Sequence, residues 1–428
     1  MKVSRYKIRC SYIVMGLGQF LCGQRIKGML YMSVLAVYVW YLIDFGFADI
    51  IGFFTLGTTE GDPWLGIAGD DSIIMLLKGI LSFLILISVI VLYLSNIKDI
   101  ENTEKLLEQG KPIPDFIHSL SNFVDKKFYI AALFFPVIGV VLLNVLPIIF
   151  MTLIAFTNYG GDIVPPKLVD WIGIDNFIQI FSLSGIKNTF VKILSWNILW
   201  AVCSTLINYF GGLFLALLLN KKCVRGKTLW RAFPILAYAV PGFITLLGFK
   251  FMFSYGGPIN YYIKELGGSA VGFLDIDSGV KTRVIGLFVN AWMSVPSSML
   301  LAMGILSNIN SELYEAASLD GASRLQQFIR LTLPYVVFST TPTLITSFVG
   351  NFNNFGVFYF LRGGMYLDGY FLASDTDLLI NWLYNLSIDN NYYGIGAAVS
   401  LIIFVITSVI SLSTYVRSSA FRKEDTYK

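Results

Sequence analysis

Apolar and polar positions are sorted along this chain into long blocks. Eight apolar runs approach the twenty or so residues that cross a bilayer: Leu30 to Phe47, Ile73 to Ser95, Tyr129 to Asn158, Ile193 to Leu219, Phe233 to Tyr255, Val284 to Leu306, Tyr335 to Phe358 and Gly394 to Val416. An even number of spans puts both termini on one side of the membrane. The third run is long enough to tilt, and Pro147 within it predicts a kink where a neighbour or water satisfies the freed carbonyl. The segments between runs are too short for a soluble domain. The pattern predicts an all-α polytopic membrane protein: an N-terminal segment, residues 1–120, with two spans and a polar loop, then a six-span core over residues 121–428.

Composition agrees with that class. Of 428 residues, 56% are hydrophobic and 14% charged, against about a quarter charged in soluble proteins. The small excess of 31 Lys and Arg over 27 Asp and Glu points to no nucleic acid. The distribution of basic residues is more informative. Segments on the N-terminal side hold 22 of them and the opposite side 7, namely Lys167, Lys187, Lys192, Lys264, Lys281, Arg283 and Arg362. Because cytoplasmic loops carry the excess, both termini are expected in the cytoplasm. Lys78 and Lys250 fall inside spans near their outer ends, where a long stem lets the ammonium snorkel to the interface; a buried ion site is the other reading. Cys10, Cys22 and Cys223 fall on the cytoplasmic side, Cys203 lies in a span, and their spacing implies no disulfide framework. The basic N-terminus lacks a small-residue cleavage site after a suitable apolar core, so no cleaved signal peptide is expected. Its Gly16-Leu17-Gly18-Gln19 and Gly23-Gln24 region either lies along the membrane surface or packs beneath the bundle. Asn96 to Lys127 reads as a solvated charged helix ending at Gly110.

Between the sixth and seventh spans stands a polar stretch, Glu315 to Pro334, EAASLDGASRLQQFIRLTLP. Glu315 to Asp320 reads as a short helix with Asn310 or Ser311 as N-cap. Asp320-Gly321 breaks it, Ser323 with Gln326 fits a capping box opening a second helix, and Pro334 marks where that helix gives way to the next span.

This layout resembles the cytoplasmic EAA loop of ABC importer permeases, here within residues 307–334. Glu315, Ala316, Ala317, Gly321, Leu333 and Pro334 match the family pattern, while Leu331 stands where isoleucine is usual. The resemblance implies a coupling helix that docks in a groove of a separate ATPase subunit. Small Ala316 and Ala317 permit close approach, Glu315 offers a charge to a basic partner, and Gly321 permits the turn. An ordinary interfacial amphipathic helix is the plainer alternative.

Catalytic chemistry has no candidate team. The one histidine, His118, sits in a loop, and no His, Cys and carboxylate cluster has metal-ligand spacing. Gly226-Lys227-Thr228 ends like a phosphate-binding loop, but position 221 is lysine instead of the first glycine and no strand precedes it; a basic anchor between spans four and five fits it better. An ion-coupled transporter would need mid-span carboxylates or histidines, and only Asp44, near a span end, comes close. A membrane-embedded enzyme lacks a catalytic set.

Polar residues inside spans are costly without partners or water. They cluster in TSFVGNFNNFGVF of span seven, where Ser347, Asn351 and Asn354 are spaced for one helix face. Asn290 and Trp292 form a second group in span six. Tyr238 of AYAVPG is a third in span five, where Pro241 and Gly242 allow a local break. Amides and hydroxyls can exchange hydrogen bonds with a sugar, and an aromatic face can stack on a pyranose ring. The alternative is that asparagines merely glue helices.

AYAVP, VNxW, LYEAAxxDGA and SFxxNFNNF, in this order, resemble the larger permease of maltose and maltodextrin ABC importers over about Tyr129 to Val416. The resemblance implies that Tyr238, Asn290, Trp292, Ser347, Asn351 and Asn354 line a central sugar pocket. Gly242, Ser297 and Gly350 are smaller or different there, which changes the pocket's shape. The short segment of about Gly160 to Phe190 stands where other members insert a large outer domain, so the likeness is to the compact form. It implies a second permease subunit, two ATPase subunits that bind ATP and Mg, an extracytoplasmic sugar-binding protein and no cofactor on this chain. Permeases for other oligosaccharides or for glycerol phosphate remain alternatives, though a phosphate would favour basic residues in the cavity.

Overall fold

In the computed structural model, residues 5–61, 64, 68–114, 116, 121, 125, 128–221 and 223–417 are described. His118 and the basic residues of the C-terminal tail beyond Arg417 lie outside them. The chain divides into two compact units, Met1–Ile174 and Asp175–Lys428.

The first unit opens with two short helices, α1 (Arg5–Ile13) and α2 (Leu17–Leu21). The first span follows as α3 (Arg25–Tyr41), a π turn at Leu42–Gly46 and α4 (Phe47–Thr55). The second is a single 37-residue helix, α5 (Ser72–Glu108), capped by Asp71, which accepts bonds from the Ile73 and Ile74 amides. Asn96 to Glu108 is therefore a continuation of the span. One of its faces is also not solvated: Asn96, Ile100 and Thr103 are buried. Against it pack α1 and α2, which settles the N-terminal region as packed beneath a helix end. Asn96, Gln19 and Ser11 are each fully buried and satisfy one another. Ser11 donates to Gln19 Oε1 at 2.6 Å, and Gln19 Nε2 donates to Asn96 Oδ1 at 2.8 Å. Lys27 pairs with Asp99 at the edge of this network. The third span is α6 (Phe128–Val140), a π turn at Val141–Val145 and α7 (Leu146–Ile154), with Pro147 in its first turn. Proline crowds the carbonyl four residues back, which here is Leu143, inside the wider turn.

The second unit begins with α8 (Asp175–Ser182) and the 37-residue α9 (Ser184–Asn220), which starts nine residues earlier than the apolar run suggests. The expected fifth span is two helices, α10 (Lys227–Ala239) and α11 (Gly242–Phe253), the latter followed by α12 (Pro258–Glu265). The pair bends by 91°. Val240, ahead of Pro241, is forced extended with ψ 133°, so the local break that Pro241 and Gly242 allow becomes a full corner. The chain continues through α13 (Gly279–Ser307) and α14 (Ser311–Leu319) to α15 (Arg324–Gln327). A π turn at Phe328–Thr332 leads into α16 (Leu333–Phe352) and then α17 (Gly356–Arg362). Pro334 thus does not end the preceding helix; the π turn absorbs its clash and the axis runs on. The seventh span does break later, at Asn353–Phe355. Finally come α18 (Leu379–Tyr384), a π turn at Asn385–Asp389 and α19 (Tyr393–Arg417). Among the described residues, seven helices are long and apolar enough to cross a membrane, or up to eight with the bent pair as one.

Close approach of α9 and α13 organises this unit. A Cβ on Gly212 would lie 2.4 Å from Ser298 Cβ, so only glycine lets the two backbones pack at this distance, as small residues do between membrane helices. Beside that crossing, Trp200, Val289, Phe358 and Leu361 form a buried core, with the Trp200 and Phe358 rings 4.9 Å apart.

Candidate functional site

Helices α9, α13 and α16 enclose a half-open cavity of about 310 Å³. Its wall brings together four of the residues singled out in the sequence, Asn290, Ser347, Asn351 and Asn354. Ser297 and Gly350, named in the sequence as altering the pocket's shape, also line it, together with polar residues not named there: Thr205, Asn208 and Tyr209 from α9, Ser294 and Ser298 from α13, Thr340 and Thr343 from α16. The signal for them was present. Ser204-Thr205 and Asn208-Tyr209 are polar pairs four residues apart in an apolar helix, and Asn290, Ser294 and Ser297 repeat at four and three, the spacing of one face.

Several of these groups are already engaged. Asn351 donates from Nδ2 to Thr205 Oγ1 at 3.0 Å and accepts on Oδ1 from Asn290 Nδ2 at 3.3 Å. The indole of Trp200 donates to the Asn351 carbonyl at 3.1 Å. Tyr209 and Thr340 share a hydroxyl bond of 2.8 Å. Asn354, just past the end of α16, accepts from the Val357 amide. Asn351 and Asn290 are therefore helix glue and cavity wall at once. Asn208 differs: it is 7% exposed and its Oδ1 has no hydrogen-bond partner. Gly350 faces open space, with nothing within 4 Å of where a Cβ would sit.

Tyr238 and Trp292 are not part of this wall. Tyr238 is 57% exposed in the last turn of α10, before the bend, and Trp292 is 45% exposed with its ring edge-on to Phe249 at 6.2 Å.

At the far end of α16 the polar elbow is formed by α14, the Gly321 turn and α15. Asn310 is the N-cap, accepting from the Glu312 amide, so the helix opens at Ser311. Gly321 has φ +78°, a conformation that side chains disfavour. Ser323 and Gln326 make the reciprocal capping box. Glu315 and Ala316 are exposed, Ala317 is half-buried, Leu333 is half-buried and Pro334 is exposed. Leu313 and Leu319 are 52% and 89% exposed; neither was singled out in the sequence, yet apolar side chains presented on a polar helix suit a docking surface.

The family described as "binding-protein-dependent transport system inner membrane component" matches residues 208–423, which include the elbow and every residue of the cavity wall except Thr205. The chain belongs to this family. The permease is 33% identical over 423 residues to the maltodextrin transport system permease protein MalC of Streptococcus pneumoniae, covering 96% of each chain. It is 30% identical over 424 residues to the galactooligosaccharides transport system permease protein GanP of Bacillus subtilis, covering 96% of this chain and 97% of that one. To the maltose/maltodextrin transport system permease protein MalF of Escherichia coli it is 32% identical over 269 residues, 61% of this chain and 52% of the relative. In fold it is similar to a chain of a bacterial ABC transporter involved in the import of alginate, with a TM-score of 0.56 and 22% identity, covering 69% of this chain and 97% of that chain. The permease is thus the multi-pass membrane component of a binding-protein-dependent transporter and not an enzyme.

Proposed function

We propose that this permease is the larger membrane subunit of an ATP-driven importer of malto-oligosaccharides. The observation that carries the reading is the cavity wall: hydroxyls and amides from three helices converge on it, and none of the residues lining it is charged. Such a wall suits an uncharged polyol, and about 310 Å³ is at the lower end of small-molecule sites. An ion or a sugar phosphate would call for charge. A second permease subunit would complete the pathway, an extracytoplasmic binding protein would deliver the sugar, and two ATPase subunits carrying ATP and Mg would dock on the elbows. Both termini and the elbow then face the cytoplasm, as the basic residues suggest. Transport follows from differential contacts in two conformations, with no chemistry on this chain.

A galacto-oligosaccharide importer is the second reading, favoured by the near full-length similarity to GanP. The test is uptake by the reconstituted complex of maltotetraose and of a galactotetraose, in wild type and in Asn351→Ala and Asn354→Ala. Maltotetraose uptake that the substitutions reduce supports the proposal. Transport of the galactoside alone selects the second reading, and uptake unaltered by either substitution returns Asn351 to helix glue and Asn354 to a local cap.

A further inference from the structure

The elbow is fastened to the helix that carries the cavity wall. Tyr314 on α14 places its hydroxyl 2.9 Å from the hydroxyl of Thr332, just ahead of α16, while within the elbow Gln327 of α15 donates from Nε2 to Ser318 Oγ at 2.9 Å. Tyr314 and Ser318 stand one turn apart, so both bonds leave the same face of α14. Glu312, Ala316 and Leu319 project from the opposite face, which leaves that face for a partner. Thr332 is 4% exposed and is the last residue of the π turn, across which the Leu333 amide reaches back to the Phe328 carbonyl. A π turn is an irregularity in the ladder that can take up motion. Beyond it α16 runs unbroken to Phe352 and brings Thr340, Ser347 and Asn351 into the wall.

We propose that Tyr314 and Thr332 are a strut, a pair of positioning residues that makes the elbow and the cavity-bearing helix move as one body. The inference rests on the elbow being the ATPase docking site. Without the strut, a push on α14 is absorbed by the Gly321 turn and the π turn before it reaches α16.

The test uses the complete transporter with its ATPase and binding-protein partners in proteoliposomes, and reads maltotriose imported per ATP hydrolysed. Thr332→Val and Tyr314→Phe each delete one hydroxyl and keep the shape. Both are expected to keep ATP hydrolysis and to import about fivefold less sugar per ATP, the scale of one neutral hydrogen bond. Thr332→Ser restores the ratio. The double variant is no worse than either single one, because the bond is already absent. An unchanged ratio, a proportional fall in hydrolysis and import, or an additive double loss each overturns the strut. Should Thr332→Val fail to assemble, Tyr314→Phe, at a half-buried position, carries the same expectation. Glu315→Lys reports separately on docking. Normal coupling in that variant removes the docking reading, whereas impaired coupling there with intact coupling in the strut variants removes only the strut.

Discussion

Asn197 and Asn208 lie three turns apart on α9 and do opposite things to stability. Asn197 is fully buried, donates to the Phe352 carbonyl at 3.1 Å and accepts from the Leu379 amide at 2.9 Å. Asn197→Leu orphans two backbone groups and should cost about 2–5 kcal/mol, read as a lowered apparent melting midpoint in detergent. Asn208→Leu removes an unpaired acceptor and should leave that midpoint unchanged or raised. Both are asparagines in an apolar run, and nothing in the run tells them apart. Asp377 is a third case. It is 5% exposed in the loop between α17 and α18, and burial pushes its pKa up to about 6. Bonds from the Ser374 amide and Asn385, together with the Arg362 charge, pull the other way. The folded state binds this proton more tightly than the unfolded chain. The stabilisation is therefore full below about pH 4, is lost as pH rises through about 6 and is absent above it. Asp377→Asn keeps an acceptor for both donors. It should raise the midpoint at pH 7.5 and give no gain at pH 4; an equal gain at both values would exclude titration as the cause.

Short-range chemistry fixes several elements and misjudges others for a common reason. The Asn310 cap, the Gly321 turn and the Ser323–Gln326 box involve groups within four residues, and each forms where the local pattern places it. Gly321 has nothing within 4 Å of a would-be Cβ, so the cost of a side chain there is purely conformational. Gly321→Ala should cost about 1–2 kcal/mol and speed amide exchange across α14, while Gly321→Asn, which tolerates this conformation better, should exchange close to wild type. Proline effects were harder to read. A proline in an apolar run signals disturbance without specifying its form. At Pro147 and Pro334 a π turn absorbs it and the helix continues, whereas at Pro241 the extended Val240 and permissive Gly242 convert it to a 91° corner.

At the scale of the molecule, the excess of basic residues on one side sets an expectation for topology that labelling can check. With the other cysteines replaced, exposed Cys223 should react with an impermeant maleimide only from the cytoplasm, and Tyr366→Cys, 41% exposed at the native residue, only from outside. Labelling of both from one face would overturn the arrangement. The apolar runs, the elbow with its caps and turn, and the span-seven amides were legible in the linear chain, because helix length, capping and facial spacing are local properties. The cavity itself was not. Asn290, Asn351 and Thr205 meet only because Gly212 lets α9 and α13 pack closely, and Tyr238 and Trp292, equally plausible as sequence, fall outside the wall. Likewise the charged end of α5 reads as a solvated face, and only tertiary packing buries Asn96 against Gln19 and Ser11. The sequence by itself determined which segments are long and apolar enough to enter a membrane and which groups are polar within them. The tertiary structure decided which polar groups are spent on one another and which face open space, because that depends on contacts between segments far apart along the chain.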